Sequence, residues 1–280
     1  MSVSNEATVA CVVGWPITHS RSPIIHRHWL ETYGLTGDYV RVAVAPEEAA
    51  AFFAGFRHGP YVGGNVTVPH KEAAFAAVDR RDPIAEALGA VNTLWREGEL
   101  IVGGNTDALG FLGNLDQEAP GWDRNPGPAV VLGAGGAARA VIYALVARGF
   151  APVTVVNRTL DRAAALAERF GDKVLVAGWD AVPKLLETAR ILVNTTSLGM
   201  KGQPPLEIDL APLPADTLVT DIVYVPLETP LLALARQRGV PTVDGLGMLL
   251  HQAAPGFERW FGRKPAVTSA LRALVLADIG

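Results

Sequence analysis

Apolar positions along this chain fall into short runs that alternate with helical stripes. Residues 9–13 form an apolar run closed by Gly14-Trp15-Pro16, which suits a strand buried on both faces. A helical stretch follows to Tyr33 and stops at Gly34. Residues 39–44 alternate with period two and predict a second strand, and 46–56 read as a helix with proline at its start. Val62, Val66 and Val68 predict a strand that breaks at Pro69, with Asn65 and Thr67 as polar residues inside it and Lys71 opening the next helix. Asp82-Pro83 starts a short helix, 89–95 lead into a hairpin around Gly98, and 109–115 are helical again.

A Gly/Pro-rich link at 120–128 separates this half from a second one. There the pattern reads strand, glycine turn, helix ending at Gly149, and strand at 153–156, all within about thirty residues. The alternation continues: helix 160–169, strand 173–176, helix 181–189, strand 191–194, strand 217–223, helix 230–238 and strand 240–243. A helix carrying His251 and Gln252 is expected to be interrupted near Pro255, and a last helix covers 267–278. Such alternation predicts an α/β fold with parallel sheets.

The glycine turn, Gly133-Ala134-Gly135-Gly136-Ala137, lies where a dinucleotide-binding βαβ unit needs it, with pyrophosphate expected on backbone N–H groups at the helix N-terminus. An NAD-selective site wants a carboxylate at the end of the second strand. Asn157 stands there instead, followed by Arg158 and Thr159, with Arg162 a turn further on. Guanidinium, amide and hydroxyl groups bind a 2′-phosphate that a carboxylate would repel, so the expected cofactor is NADP.

Two hydroxyls, Ser20 and Ser22, follow the first strand. Ser22-Pro23 reads as an N-cap with Pro at N1, whereas Ser20 has no evident capping role, and together they make a cradle for a carboxylate. Lys71 at a helix start opposes the helix dipole, which asks for another reason to be there. Asp107 suits the N-terminal turn of its helix and is also free to serve chemistry.

Composition narrows the field. The chain of 280 residues suits one large or two medium domains, and 49% hydrophobic residues fill a core. A net charge of −4 gives no reason to expect nucleic acid or an anionic membrane as partner. No apolar run has the length of a membrane span and no basic-then-apolar leader precedes the first strand, so a cytoplasmic setting is expected. The one cysteine, Cys11, lies in an apolar strand and reads as inert core; no metal cluster is expected.

The chain resembles the shikimate dehydrogenase family over almost its whole length. The matching motifs are Pro16-Ile-Thr-His-Ser20-Arg-Ser22-Pro, Asn65-Val-Thr67-Val-Pro-His-Lys71, Gly89-Ala-Val-Asn92-Thr, Gly104-Asn-Thr-Asp107, Gly133-Ala-Gly-Gly-Ala, Asn157-Arg-Thr, Asn194-Thr-Thr-Ser-Leu-Gly-Met, Asp221-Ile-Val-Tyr224 and Asp244-Gly-Leu-Gly-Met-Leu-Leu-His-Gln252. The resemblance implies NADP-dependent interconversion of 3-dehydroshikimate and shikimate in aromatic amino-acid biosynthesis. It places the substrate carboxylate on Ser20 and Ser22 with help from Tyr224, and the ring hydroxyls on Thr67, Asn92, Asp107 and Gln252. Lys71 and Asp107 become the proton-transfer pair. Gly133, Ala134, Gly135, Gly136, Ala137, Asn157, Arg158, Thr159 and Arg162 would hold NADP, with Ile222, Gly245 and Met248 near the nicotinamide.

The glycine loop continues Ala-Ala-Arg where many relatives have Ala-Ser-Arg, which removes one hydroxyl. The implied architecture is a substrate domain at 1–106, a Rossmann-like NADP domain at 107–244, and C-terminal helices at 245–280 returning to the first domain, in a monomer or homodimer. A quinate or amino-shikimate paralogue, or a non-catalytic metabolite-binding relative, would keep most of these motifs. The 2′-phosphate residues, the Ser20/Ser22 pair and the joint presence of Lys71 and Asp107 favour the shikimate enzyme.

Overall fold

A computed structural model describes residues 8–279 of the chain, which divides into two compact units. One comprises the residues up to Thr106 together with those from Leu250 onward; the other is Asp107–Leu249.

The first unit runs β1 (Thr8–Gly14), α1 (Ser22–Thr32), β2 (Gly37–Ala43), α2 (Ala49–Gly55), β3 (Gly63–Val66), α3 (Lys71–Ala77), β4 (Arg80–Arg81), α4 (Pro83–Leu88), β5 (Thr93–Glu97) and β6 (Leu100–Gly104). Its sheet has the order β2-β1-β3-β5-β6-β4. β1 runs parallel to β2 and β3, but β5 is antiparallel to both β3 and β6. The antiparallel β5/β6 pair is the hairpin expected around Gly98, while the parallel pattern holds for β1 with β2 and β3. The hairpin turn at Gly98, with φ of +61°, sends the chain straight back without a helical crossover.

β1 is buried on both faces. Cys11 and Val13 enter one apolar cluster with Phe53, Val66 and Leu94, while Ala10 and Val12 enter another with Tyr39, Trp95 and Trp260. Burial pushes the Cys11 thiol far above its ordinary range, which makes it an inert core group. β3 ends at Val66, two residues earlier than the valine pattern predicts. Val68 is 69% exposed, because a turn closed by His70 N–H on the Thr67 carbonyl (2.9 Å) lifts it off the sheet.

The second unit runs α5 (Asp107–Glu118), β7 (Ala129–Leu132), α6 (Gly136–Ala147), β8 (Val153–Val156), α7 (Leu160–Phe170), β9 (Val174–Ala177), α8 (Val182–Leu186), β10 (Ile191–Asn194), β11 (Leu218–Asp221), α9 (Pro230–Gln237) and β12 (Thr242–Val243). Here the sheet is parallel throughout, in the order β12-β11-β10-β7-β8-β9. From β7 the chain winds outward through β8 and β9, then returns to the other side of β7 at β10. The loops after β7 and β10 thus diverge at a topological switch point, where α/β sheets bind their ligands.

α10 (Leu246–Phe261) carries the chain from the second unit into the first, and α11 (Ser269–Ile279) packs on α1. Pro255 lies inside α10 without interrupting it, contrary to the sequence reading. Leu250, Ala253, Phe257 and Trp260 on both sides of the proline are buried, and that burial holds the helix through one missing N–H. The last segment is tied down by Trp29 Nε1 donating to the Ala266 carbonyl (2.9 Å) and by Ala266 N–H donating to the Tyr33 hydroxyl (3.0 Å).

Candidate functional site

Several expected substrate groups of the first unit gather at one edge of its sheet. Asn65, near the end of β3, is in register with Thr93 at the start of β5, and Thr93 with Gly104 at the end of β6. Asn65 is also opposite Val12 near the end of β1. The segments carrying Ser20, Thr67, Lys71, Asn92 and Thr106 all leave the sheet at this edge. Thr67 packs over the end of β1, where a Cβ on Gly14 would come within 2.5 Å of its methyl group.

Ser22 is not the N-cap of α1. Arg21 occupies that position in a helical conformation, and Ser22 is the first helical residue. The capping-type role falls to Ser20, whose Oγ accepts from the Ser22 N–H at 3.4 Å. Arg41 reaches across to hold the Ser20 carbonyl through Nε (3.0 Å) and Nη2 (2.6 Å). Ser22 is buried, with its side chain within reach of the Tyr39 phenol.

From Tyr39 a buried chain of polar groups runs along the edge. Tyr39 donates to Asn65 Oδ1 (2.6 Å), and Asn65 Nδ2 donates to the Asn92 carbonyl and to Thr93 Oγ1 (both 3.2 Å). Thr93 Oγ1 donates to Asn92 Oδ1 (2.8 Å), which also accepts from the Thr106 N–H (2.9 Å). Thr106 Oγ1 donates in turn to the backbone carbonyl of Gln252 (2.8 Å). The Oδ1 of Asn92 is thus committed to Thr93 and Thr106. Tyr39, Asn65, Thr93 and Thr106 are the residues that sequence reasoning missed as supports. The signal present was Asn65 and Thr93 as polar residues at strand positions that are otherwise apolar.

Lys71 opens α3, as expected, and its backbone is pinned on two sides. The His70 ring donates from Nε2 to the Val44 carbonyl (2.7 Å), and the Val91 N–H donates to the Lys71 carbonyl (3.0 Å). The ammonium group is thereby launched from a fixed base at the polar edge.

In the second unit a cavity of about 660 Å³ opens at the switch point, lined by Gly133, Ala134 and Gly135 after β7, Asn157, Arg158 and Arg162 after β8, and Thr195–Leu198 after β10. Gly133 has φ of +100°, and a Cβ there would press within 3.0 Å of Thr195 Oγ1, so only glycine fits. Beside Gly135 and Gly136, in contrast, a Cβ would meet nothing within 4 Å. Gly135 is the N-cap of α6 and supplies no side-chain cap, so the backbone N–H groups of the first turn are left for a ligand. These features fit the pyrophosphate of a dinucleotide. Thr159 is the N-cap residue of α7 but makes no side-chain cap, while Asn157 Nδ2 holds the Thr159 carbonyl (2.8 Å).

The wall after β10 is set by a buried carboxylate. Asp221 accepts from Asn194 Nδ2 (3.0 Å), Thr229 Oγ1 (2.7 Å) and the Val223 N–H (3.0 Å), and burial holds its carboxyl above the usual range despite these donors. Asn194 Oδ1 then accepts from Thr196 Oγ1 (2.7 Å), shaping the loop that faces Gly133. Asp107 begins α5, next in the chain after Thr106, and Tyr224 follows β11. Ile222, Gly245 and Met248 also belong to the second unit; Gly245 has the Ile222 backbone where a side chain would stand. Among the described residues no group of three or more His, Cys, Asp or Glu could hold a metal, and no helix is long and apolar enough to cross a membrane.

Three family models match the chain. The shikimate dehydrogenase substrate binding domain covers residues 12–94, shikimate / quinate 5-dehydrogenase covers 123–200, and the shikimate 5′-dehydrogenase C-terminal domain covers 245–275. A shikimate dehydrogenase (NADP(+)) of Azorhizobium caulinodans is 60% identical over 268 residues, 96% of this chain and 95% of the relative. The crystal structure of shikimate 5-dehydrogenase from Thermus thermophilus in complex with NADP(H) and shikimate matches with a TM-score of 0.86 at 37% identity, covering 96% of this chain and 99% of that one. A quinate dehydrogenase from Corynebacterium glutamicum in complex with NAD matches with a TM-score of 0.88 at 30% identity, covering 98% and 100%. With the parallel sheet, the glycine turn and the polar edge in place, these likenesses settle the kinship: the chain belongs to the shikimate dehydrogenase family.

Proposed function

We infer that this chain interconverts 3-dehydroshikimate and shikimate with NADP(H). The observation that carries the reading is the polar edge of the first unit, where Asn65, Asn92, Thr93 and Thr106 form a buried network beside the segments that carry Ser20, Thr67 and Lys71. Such a set matches a small carboxylated, polyhydroxylated ring. Residues 1–106 serve as the substrate half, 107–244 as the nucleotide half, and 245–280 supply Gln252 to the substrate side. The partners are small molecules; the chain works as a monomer or homodimer in the cytoplasm, without nucleic acid or membrane.

Gly133–Ala137, Asn157–Thr159 and Arg162 would hold NADPH, which when bound would supply the hydride. The remaining work belongs to the protein. Ser20 and Ser22, with Tyr224, hold the carboxylate, and Thr67, Asn92 and Gln252 orient the ring hydroxyls. As the ketone oxygen gains negative charge, the Lys71 ammonium stabilises it and transfers a proton to it. Asp107 is the partner of that ammonium in the reaction and binds a neighbouring hydroxyl. In the reverse direction neutral Lys71 accepts the same proton.

Initial rates with shikimate and with quinate, each with NADP and with NAD, test this. Shikimate with NADP is expected to give the highest kcat/KM. A higher value for quinate with NAD would move the chain to the quinate branch of the family, and no turnover with any pair would leave a binding protein.

A further inference from the structure

Asn114 lies in α5 seven residues after Asp107, on nearly the same face of the helix and about 10 Å along it. It is buried, and its side chain grips a turn of the second unit that is distant in sequence. Nδ2 donates to the Asp244 carbonyl at 2.7 Å. Its Oδ1 fills the place where Gly247 lacks a side chain, so that a Cβ on Gly247 would overlap it outright. That oxygen has no hydrogen-bond partner among the described residues, which costs stability and is tolerated for the sake of the other contacts. On its other side the turn lies against β11, since a Cβ on Gly245 would overlap the Ile222 backbone. The Leu246 N–H closes the turn on Asp244 Oδ1 at 3.0 Å. Asp244–Met248 is thus wedged between the end of β11 and one side chain of α5.

We propose that Asn114 is a positioning residue for hydride transfer. It sets the spacing between the helix that begins at Asp107 and the Gly245–Met248 turn. The role rests on the functional reading above, in which that turn lies beside the nicotinamide and Asp107 beside the substrate. Because α5 is stiff, a displacement at Asn114 changes how the hydride donor meets the ketone, and it does so without touching either one.

The test is a cycle of Asn114→Ala, Gly247→Ala and the double variant. Turnover is measured with NADPH and with NADPH deuterated at the transferred position, alongside melting temperatures. Gly247→Ala should lower kcat by about tenfold or more, because its methyl group forces the turn off the helix. The double variant should recover most of that loss, since a smaller residue at 114 makes room. Asn114→Ala alone should enlarge the isotope effect on kcat while KM for the ring substrate changes little. Should Asn114→Ala not fold, Asn114→Ser makes similar room. A double variant no better than Gly247→Ala, or an isotope effect unchanged from wild type, would overturn the proposal. Absence of turnover in the wild-type protein would instead overturn the functional reading on which it rests.

Discussion

The Tyr39 hydroxyl donates to Asn65 Oδ1 across 2.6 Å in the interior of the first unit, with buried Ser22 within reach of the same phenol. One buried phenol therefore joins the expected carboxylate cradle to the polar edge of the sheet. Burial holds its pKa well above the ordinary range, so it stays a donor at all working pH values. Tyr39→Phe removes only the hydroxyl and leaves Asn65 Oδ1 buried without that donor. The expected cost is about 1–3 kcal/mol, read from urea unfolding, with a raised KM for shikimate because the polar edge loses the donor that holds Asn65. Unchanged stability and unchanged KM would show that the Tyr39 hydroxyl supports neither the fold nor the substrate edge.

His26 stacks on Tyr39 with ring centroids 3.9 Å apart and planes at 8°, and is enclosed by Trp29, Phe257 and Trp260. Burial pushes its imidazole down to about 3, against a weaker opposing contact with Asn65. A histidine lowered in this way favours folding while it is neutral. Its contribution is full above the unfolded value near 6.5 and is lost as pH falls from there toward 3. His26→Phe should therefore flatten the acid limb of the stability curve between pH 6.5 and 3. Melting temperatures of the two proteins across that range check it; parallel curves would exclude His26 as a source of acid lability.

Lys71 and Asp107 carry the proposed proton transfer. Lys71→Ala should lower turnover by about 10²–10⁴-fold at saturating substrate, with NADP affinity and folding nearly unchanged. Lys71→Arg should rescue poorly, because a guanidinium does not release its proton. Asp107→Asn should lower turnover as well, and the double variant should be much less impaired than the product of the two. Near-normal kcat in folded Lys71→Ala would return the lysine to a solvated helix start.

Cofactor choice rests on the end of β8. Asn157→Asp combined with Arg158→Ala puts a carboxylate where the 2′-phosphate is expected and removes a cation. KM for NADP should rise by roughly tenfold or more, the loss of a charge-assisted contact worth about 1.5–3 kcal/mol. KM for NAD should rise far less. A wild-type preference for NAD, or equal rises for both cofactors, would contradict the assignment of Arg158 and Thr159.

The βαβ unit from β7 to β8 was legible in the chain itself. Strand, glycine turn and helix are local patterns, and the residue that follows β8 needs only a count from Gly133. The place of Lys71 at the start of α3 was legible for a similar reason, and its conflict with the helix dipole is visible without any tertiary contact. What depended on distant parts of the chain was not. The β5/β6 hairpin was legible at Gly98, but the antiparallel pairing of β5 with β3 is a choice of partner that strand periodicity does not encode. Ser22 read as a cap because Ser-Pro is a local signature. Tertiary packing instead buried it against Tyr39 and left Ser20 to meet the helix N–H. Pro255 read as a break because propensity counts only the lost hydrogen bond, whereas burial of Leu250, Phe257 and Trp260 outweighs it. The polar chain from Tyr39 to Gln252 and the wedge at Asn114 join residues separated by more than a hundred positions. Patterns of period two and 3.6 report which face of an element is buried, but only the folded chain decides what that face meets.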